Sequence, residues 1–256
     1  MRIPLVCLAL LLALPAARAA SWTAVYELNA AGLRALEATF TFDVDGPNYR
    51  IEVRTRTRGL VGFFANSNQV TVAEGAWQGN EARPRLYRVN GVFRGQPRMV
   101  TMDWRPDGQP QVSALEPSNT AEQREVVAPS LLPGAIDALT AIVQLSRVVA
   151  QTGRCDVRSR LYDGRRLTQV TVRTAGMEAV PNGAGAQGLR CVLQTVPLAG
   201  LRTDQDQTRA RTPVETTAWI ARAAANAPPV PFRIELASQW WGSLSATLVR
   251  MEPVAP

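Results

Sequence analysis

The chain has no lysine and no histidine; all 28 of its basic residues are arginine. Without histidine there is no Ser-His or Cys-His pair to activate a nucleophile, and no imidazole to ligate a metal. Without lysine there is no Schiff base and no Ser-Lys dyad. Cysteine is scarce, three in 256 residues, and none sits in a Cys-x-x-Cys redox motif. Aromatic-basic runs of the kind that stack on bases are missing, which excludes nucleic acid as an expected partner. Beyond the N-terminus no run of 18 apolar residues occurs, so no membrane-spanning helix is expected in the mature chain.

The remaining chemistry is that of carboxylates, tyrosine and hydroxyls. Asp43, Asp45, Asp103, Asp137 and Asp163 are available to a two-carboxylate hydrolase. Most of them stand at strand ends or turns, where Asp bonds its own backbone. Gly183 to Gly188 matches G-x-G-x-x-G but lies between a Pro-Asn loop and a strand, the wrong setting for a dinucleotide. Asp204-Gln205-Asp206 lacks the glycine and distal glutamate of a calcium loop. No cofactor and no metal are expected, and the chain reads as a non-enzyme.

Residues 1–19 read as a cleaved leader. A short basic start precedes the apolar run Ile3 to Pro15, and Ala17-Arg18-Ala19 is a small-x-small site with cleavage between Ala19 and Ala20. Residues 20–256 are then one β-rich domain, long enough to bury roughly 70% of the surface an unfolded chain exposes. Export through the Sec pathway into the periplasm of a Gram-negative bacterium is the expectation. Cys155 and Cys191, the two cysteines outside the leader, are expected to form a disulfide there. The formal charge of +7 reads as GC-rich coding in which Arg replaces Lys.

Period-2 alternation is the dominant pattern. Leu36, Ala38, Phe40, Phe42 and Val44 face one way, and Glu37, Thr39, Thr41 and Asp43 the other. With Trp22 to Leu28 and Tyr49 to Arg58 this makes an antiparallel meander, greasy on one side and charged on the other. Arg50, Arg54, Arg56 and Arg58 form a ladder that reads as a solvated strand face. Residues 105–125, rich in Pro, Gln and Ser, are expected to be a long loop, as are 175–188. Asp137 to Gln151 is the one helix, started after Pro133-Gly134 and stopped at Gly153. Asp163-Gly164 reads as a hairpin tip, and Gly242 as the pivot of the last hairpin. The fold class is mainly β: a curved antiparallel sheet forming an open barrel or β-spiral, with one helix packed on it.

Phe40, Phe42, Phe63, Phe64, Trp219 and Trp240 are the candidate lining of a lipid-sized groove. Trp240-Trp241 must point to opposite faces of a strand. Asp163-Gly164 explains itself as a turn, but Arg165-Arg166 does not; one of the two arginines is expected to point inward onto a carboxylate such as Asp137 or Asp156.

The stretches Ala24 to Phe42, Leu131 to Leu145 and Cys155 to Val172, with Trp219 and Pro229 to Leu236, resemble an exported bacterial family called domain of unknown function 3108. More distantly the chain resembles exported envelope-integrity proteins whose sheet winds into a spiral with one disulfide. It is also similar to periplasmic lipoprotein carriers, which hold acyl chains in an open barrel. The resemblance implies a helix in the concave face of an open curved sheet, and a partner that is a lipid or cell-wall ligand or an envelope protein. An assembly factor acting through protein contacts is the alternative function.

Overall fold

The structure is a computed structural model and describes residues 21–58, 66–183, 185–238 and 242–254. Seven strands come first: β1 (Trp22–Ala30), β2 (Leu33–Asp43), β3 (Asn48–Thr57), β4 (Ser67–Gln78), β5 (Glu81–Phe93), β6 (Gln96–Trp104) and β7 (Pro110–Glu116). A turn at Pro129–Leu131 and helix α1 (Ala138–Thr152) follow. Then come β8 (Val157–Tyr162), β9 (Leu167–Ala179), β10 (Gln187–Ala199), a one-turn helix α2 (Gln207–Ala210), β11 (Val214–Ala221), β12 (Val230–Ser238) and β13 (Gly242–Pro253).

All thirteen strands belong to one antiparallel sheet, in the order β7-β6-β5-β4-β3-β2-β1-β13-β12-β11-β10-β9-β8. Each half is a meander of neighbouring hairpins, and β13 returns to pair with β1, Trp22 opposite Pro253. The sheet curls so that its two edges, β7 and β8, approach each other without pairing. The backbone at Ile136 fills part of the seam: its N–H donates to Arg160 O at 2.9 Å, and its carbonyl accepts from Tyr162 N at 2.8 Å. The Trp104 indole at the end of β6 donates to Ala135 O at 2.9 Å.

The alternation that marks β2 and β3 in the sequence is the alternation of the sheet. Ala38, Phe42, Ile51 and Val53 enter the core, with Leu139 and Val143 of α1 laid against them. A second cluster gathers Cys155, Cys191, Val172, Leu189 and Ile220 against Leu145 and Val149 of the same helix. Helix α1 thus lies in the concave face and divides its apolar side between both halves of the sheet. It begins one residue later than the sequence suggests because Asp137 is its N-cap, accepting from Thr140 N at 2.8 Å. Gly153 ends it in the left-handed conformation at φ +66°.

Three loop expectations are corrected. Residues 110–116, placed in a loop, form the edge strand β7. Half of the 175–188 loop is strand, because β9 runs on to Ala179 and β10 resumes at Gln187. Gly242 is no pivot; it opens β13, opposite Ser238.

Candidate functional site

Beside Ile142 of α1, the described residues leave part of the concave face unfilled. A cavity of about 260 Å³ lies between β1, β2, β3, β12 and β13, with Ile142 of α1 at one end. Leu28, Leu36, Ala38, Phe40, Phe42 and Val53 form its wall on one side, Ile234 and Ala246 on the other. A second cavity of about 380 Å³ shares Leu28, Leu36, Ile234 and Ala246 and continues to Ala30, Leu236 and Leu244. The two are consecutive stretches of one groove. Among the described residues no charged side chain lines either. The deep stretch has two hydroxyl-bearing side chains, Tyr26 and Thr55. The Tyr26 hydroxyl is already spent, donating to Pro231 O at 2.9 Å.

This lining follows from the strand period. Leu36, Ala38, Phe40 and Phe42 are the inward residues of β2, and the small side chains at Ala38 and Ala246 leave the space that larger ones would fill. Phe40 stacks on Phe42 at 5.9 Å and meets Tyr26 edge-on at 5.2 Å, a rigid aromatic floor. On the convex face the four arginines of the ladder meet three glutamates. Arg50 meets Glu74 and Glu52, Arg54 meets Glu52, and Arg56 and Arg58 share Glu37.

Phe40 and Phe42 therefore stand in the groove together. Trp219 does not: it is buried, but its indole donates to Glu178 at 2.6 Å, and it packs by Val180 and Gly188 of the β9–β10 hairpin. Its neighbour Ile220 packs into the disulfide cluster, so strand alternation sends Trp219 the other way. Phe63, Phe64 and Trp240 lie outside the described residues, as do Trp241 and the leader with Ala19 and Ala20.

The sulfurs of Cys155 and Cys191 are bonded, with Cα atoms 6.2 Å apart. Such a bond fits an exported protein. Around the β8–β9 turn, Asp163 Oδ1 accepts from Arg165 N and Arg166 N, which makes the tip. Gly164 adopts φ +87°, and a Cβ there would press on Val100 at 2.9 Å, so the turn packs closely on β6 and β7. Arg166 stays in solvent beside Asp163. Arg165 turns inward and is 1% exposed.

The carboxylate that receives Arg165 is Glu122, in place of the expected Asp137 or Asp156. Arg165 Nε stands 3.2 Å from Glu122 Oε2, at an angle that makes an ion pair but no hydrogen bond, and its Nη2 donates to Pro117 O at 2.7 Å. Arg98 and Arg124 donate to the same carboxylate at 2.8 Å. Burial pushes the Glu122 carboxyl up, but the Arg124 and Arg98 hydrogen bonds and the surrounding positive charge outweigh it and hold it below the usual range. Asp156 is occupied by Thr174 and Arg154.

Asp137 is fully buried and serves α1. Its second oxygen accepts from the Thr140 hydroxyl at 2.6 Å, and that hydroxyl lies 2.9 Å from the Tyr49 hydroxyl on β3. Burial pushes its carboxyl up from 3.8 to about 6, against the opposing Thr140 hydrogen bonds. A raised folded value means the folded chain holds a proton that the unfolded chain releases between about pH 4 and 6. Stability from this group is therefore full at low pH and declines as pH rises through that window, by about 3 kcal/mol. Asp137→Asn keeps the cap and removes the titration. Denaturant unfolding at pH 4.5 and 7.5 should show the variant gaining on the natural chain at the higher pH; parallel profiles would refute this account.

Among the described residues no cluster of three metal-ligating side chains occurs, and no helix is long and apolar enough to cross a membrane. Asp204 pairs with Arg202, and Asp206 caps α2 through Thr208 N and Arg209 N.

A family model described as "Protein of unknown function (DUF3108)" matches residues 24–249, which takes in the groove, the helix and the disulfide. The chain belongs to that family. A crystal structure of a beta-barrel-like protein of domain of unknown function DUF1849 from Brucella abortus superposes with a TM-score of 0.54 at 14% identity, covering 94% of this chain and 100% of that one. That likeness is one of fold. A putative outer membrane lipoprotein-sorting protein domain from Vibrio parahaemolyticus aligns over 91% of this chain and 85% of that chain at 8% identity, with a TM-score of 0.25 that supports no argument. No curated protein is significantly similar to the chain.

Proposed function

We propose that this DUF3108 protein is an exported, periplasmic envelope protein that holds the apolar chain of an amphiphile in its concave groove and performs no covalent chemistry. The observation that carries this reading is the continuous apolar groove from Phe42 and Ile142 out to Leu244, with no charged side chain among the described residues that line it. Along β2 from Phe42 to Leu36 it runs about 20 Å at roughly 3.4 Å per residue, long enough for an acyl chain. An apolar groove left to water is costly, and each methylene buried in it contributes about 0.8 kcal/mol. The leader read from residues 1–19 and the Cys155–Cys191 bond support export.

Affinity for saturated fatty acids, measured by displacing a fluorescent long-chain probe, should rise about fourfold per added methylene until the groove is full. Ala246→Phe, in the lining shared by both stretches, should weaken binding by roughly tenfold or more while leaving the melting temperature close to that of the natural chain. Organic extraction of protein purified from its own periplasm, followed by mass spectrometry, should recover a chain-bearing lipid. Affinity indifferent to chain length, with a clean extract, would reject the reading.

A further inference from the structure

Most arginines among the described residues meet a carboxylate, and of those that do not, Arg158 and Arg160 stand together on one edge strand beside a cleft. The ladder on β3 is matched by Glu37, Glu52 and Glu74. Arg158 and Arg160 on β8, by contrast, have no carboxylate within ion-pair distance among the described residues. Two apart on a strand, they project to the same face. Both line a polar cleft of about 430 Å³ between the β8 edge, the start of β5 and Gln144 of α1. Arg83 joins them there against a single acid, Glu81, with which it pairs at 2.9 Å.

Their partners hold them in place without cancelling their charge. Arg158 Nη2 donates to Gln169 Oε1 at 2.6 Å. Arg160 donates to Leu131 O at 3.2 Å and to Pro133 O. A guanidinium offers five N–H donors, so each keeps donors unused. Fixed, uncompensated guanidiniums on one face are what a multiply charged oxyanion requires, since orienting them costs nothing further on binding. The excess of three arginines over one glutamate matches a doubly charged group. The cleft continues past Arg83 and Gly134 into a second cavity of about 430 Å³ beside Trp104, room for an organic substituent.

We propose that this cleft is a phosphate site, in which Arg158 and Arg160 grip the oxygens of a phosphomonoester. It is distinct from the apolar groove, with which it shares no lining residue among the described residues.

The test titrates the natural mature chain with inorganic phosphate and with glycerol 3-phosphate by calorimetry at low salt. Arg158→Gln should weaken both by roughly tenfold or more, the loss of a charge-assisted donor. Arg160→Lys keeps the charge but loses the planar fork, and should weaken glycerol 3-phosphate binding less. Arg54→Gln, on the ladder, should leave it unchanged. Sedimentation with phosphatidylcholine vesicles, with and without phosphatidic acid, separates the sources. Retention by phosphatidic acid that glycerol 3-phosphate competes away assigns the site to a lipid headgroup; binding without retention assigns it to a soluble phosphate ester. Failure of both small probes to bind, or equal losses in Arg158→Gln and Arg54→Gln, overturns the proposal. None of the soluble probes has an acyl chain, so failure of the groove reading leaves this result unaffected.

Discussion

Glu122→Gln should lower the melting temperature by about 10 °C. Among the described residues, Glu122 is the only carboxylate within ion-pair distance of three guanidiniums, those of Arg98, Arg124 and Arg165. Arg165 is almost wholly excluded from water, so its charge relies on that carboxylate and on Pro117 O. Removing one partner of a buried pair costs about 3–5 kcal/mol, because the other stays buried and charged. Glu122, Arg98 and Arg124 keep some solvent contact, which argues for the lower end. In a chain of this size each kcal/mol moves the midpoint by about 2–4 °C. Glu52→Gln removes a comparable number of contacts on the convex face and should shift it by no more than about 2 °C, since exposed pairs contribute little. Arg165→Met should cost less than Glu122→Gln, because Glu122 keeps Arg98 and Arg124. Calorimetric melts of the three variants check the order, and a small Glu122 effect would mean that the cluster does not hold the seam.

The seam is why this one carboxylate matters. Arg98 comes from β6, Glu122 and Arg124 from the chain after β7, and Arg165 from the β8–β9 turn. The same stretch zips onto the β10–β11 connection: Glu125 N donates to Leu201 O at 3.0 Å and Thr203 N to Gln123 O at 2.7 Å. The cluster joins two sheet edges that share no ladder. It does electrostatically what backbone pairing does in a closed barrel.

That cluster was half legible in the sequence. Arg165-Arg166 after a turn is a signal because adjacent residues point to opposite faces, and Arg165 does turn in. Its partner could not be read. Glu122 lies in a stretch with no periodicity, and its role arises when distant segments meet. Strand β7 was missed for a related reason: Pro110, Gln111 and Ser113 read as loop, and an edge strand beside solvent needs few apolar residues. The groove was legible on one wall. The alternation of β2 names Phe40 and Phe42, but alternation says only that a face is covered, never by what. Trp219 shows this limit: it too is buried, yet what covers it is its own sheet's long β9–β10 hairpin. The opposite wall, Ile234 and Ala246, carries no local mark, because its position follows from β13 closing onto β1.

Breaking the Cys155–Cys191 bond should cost about 4 kcal/mol, the entropy returned to the unfolded chain by opening a loop with a sequence separation of 36. Both cysteines are fully buried. Cys155 lies just before β8 and its N–H donates to the Thr174 hydroxyl at 2.9 Å, while Cys191 on β10 stands opposite Thr174. The bond therefore reaches over β9 and ties the sheet's β8 edge to the second strand in. Two residues before Cys155 is the end of α1, so the bond also fixes where the helix leaves the concave face. Cys155→Ser with Cys191→Ser should lower the denaturation midpoint in guanidinium, and dithiothreitol should do the same to the natural chain but not to the double variant. Affinity for an acyl probe should hold under native conditions, because Ile142, the helix residue in the groove, lies nearly three turns from that end. If affinity fell together with stability, the bond would be setting the groove's shape, and an unchanged midpoint would mean that the denatured chain is already compact around this hairpin.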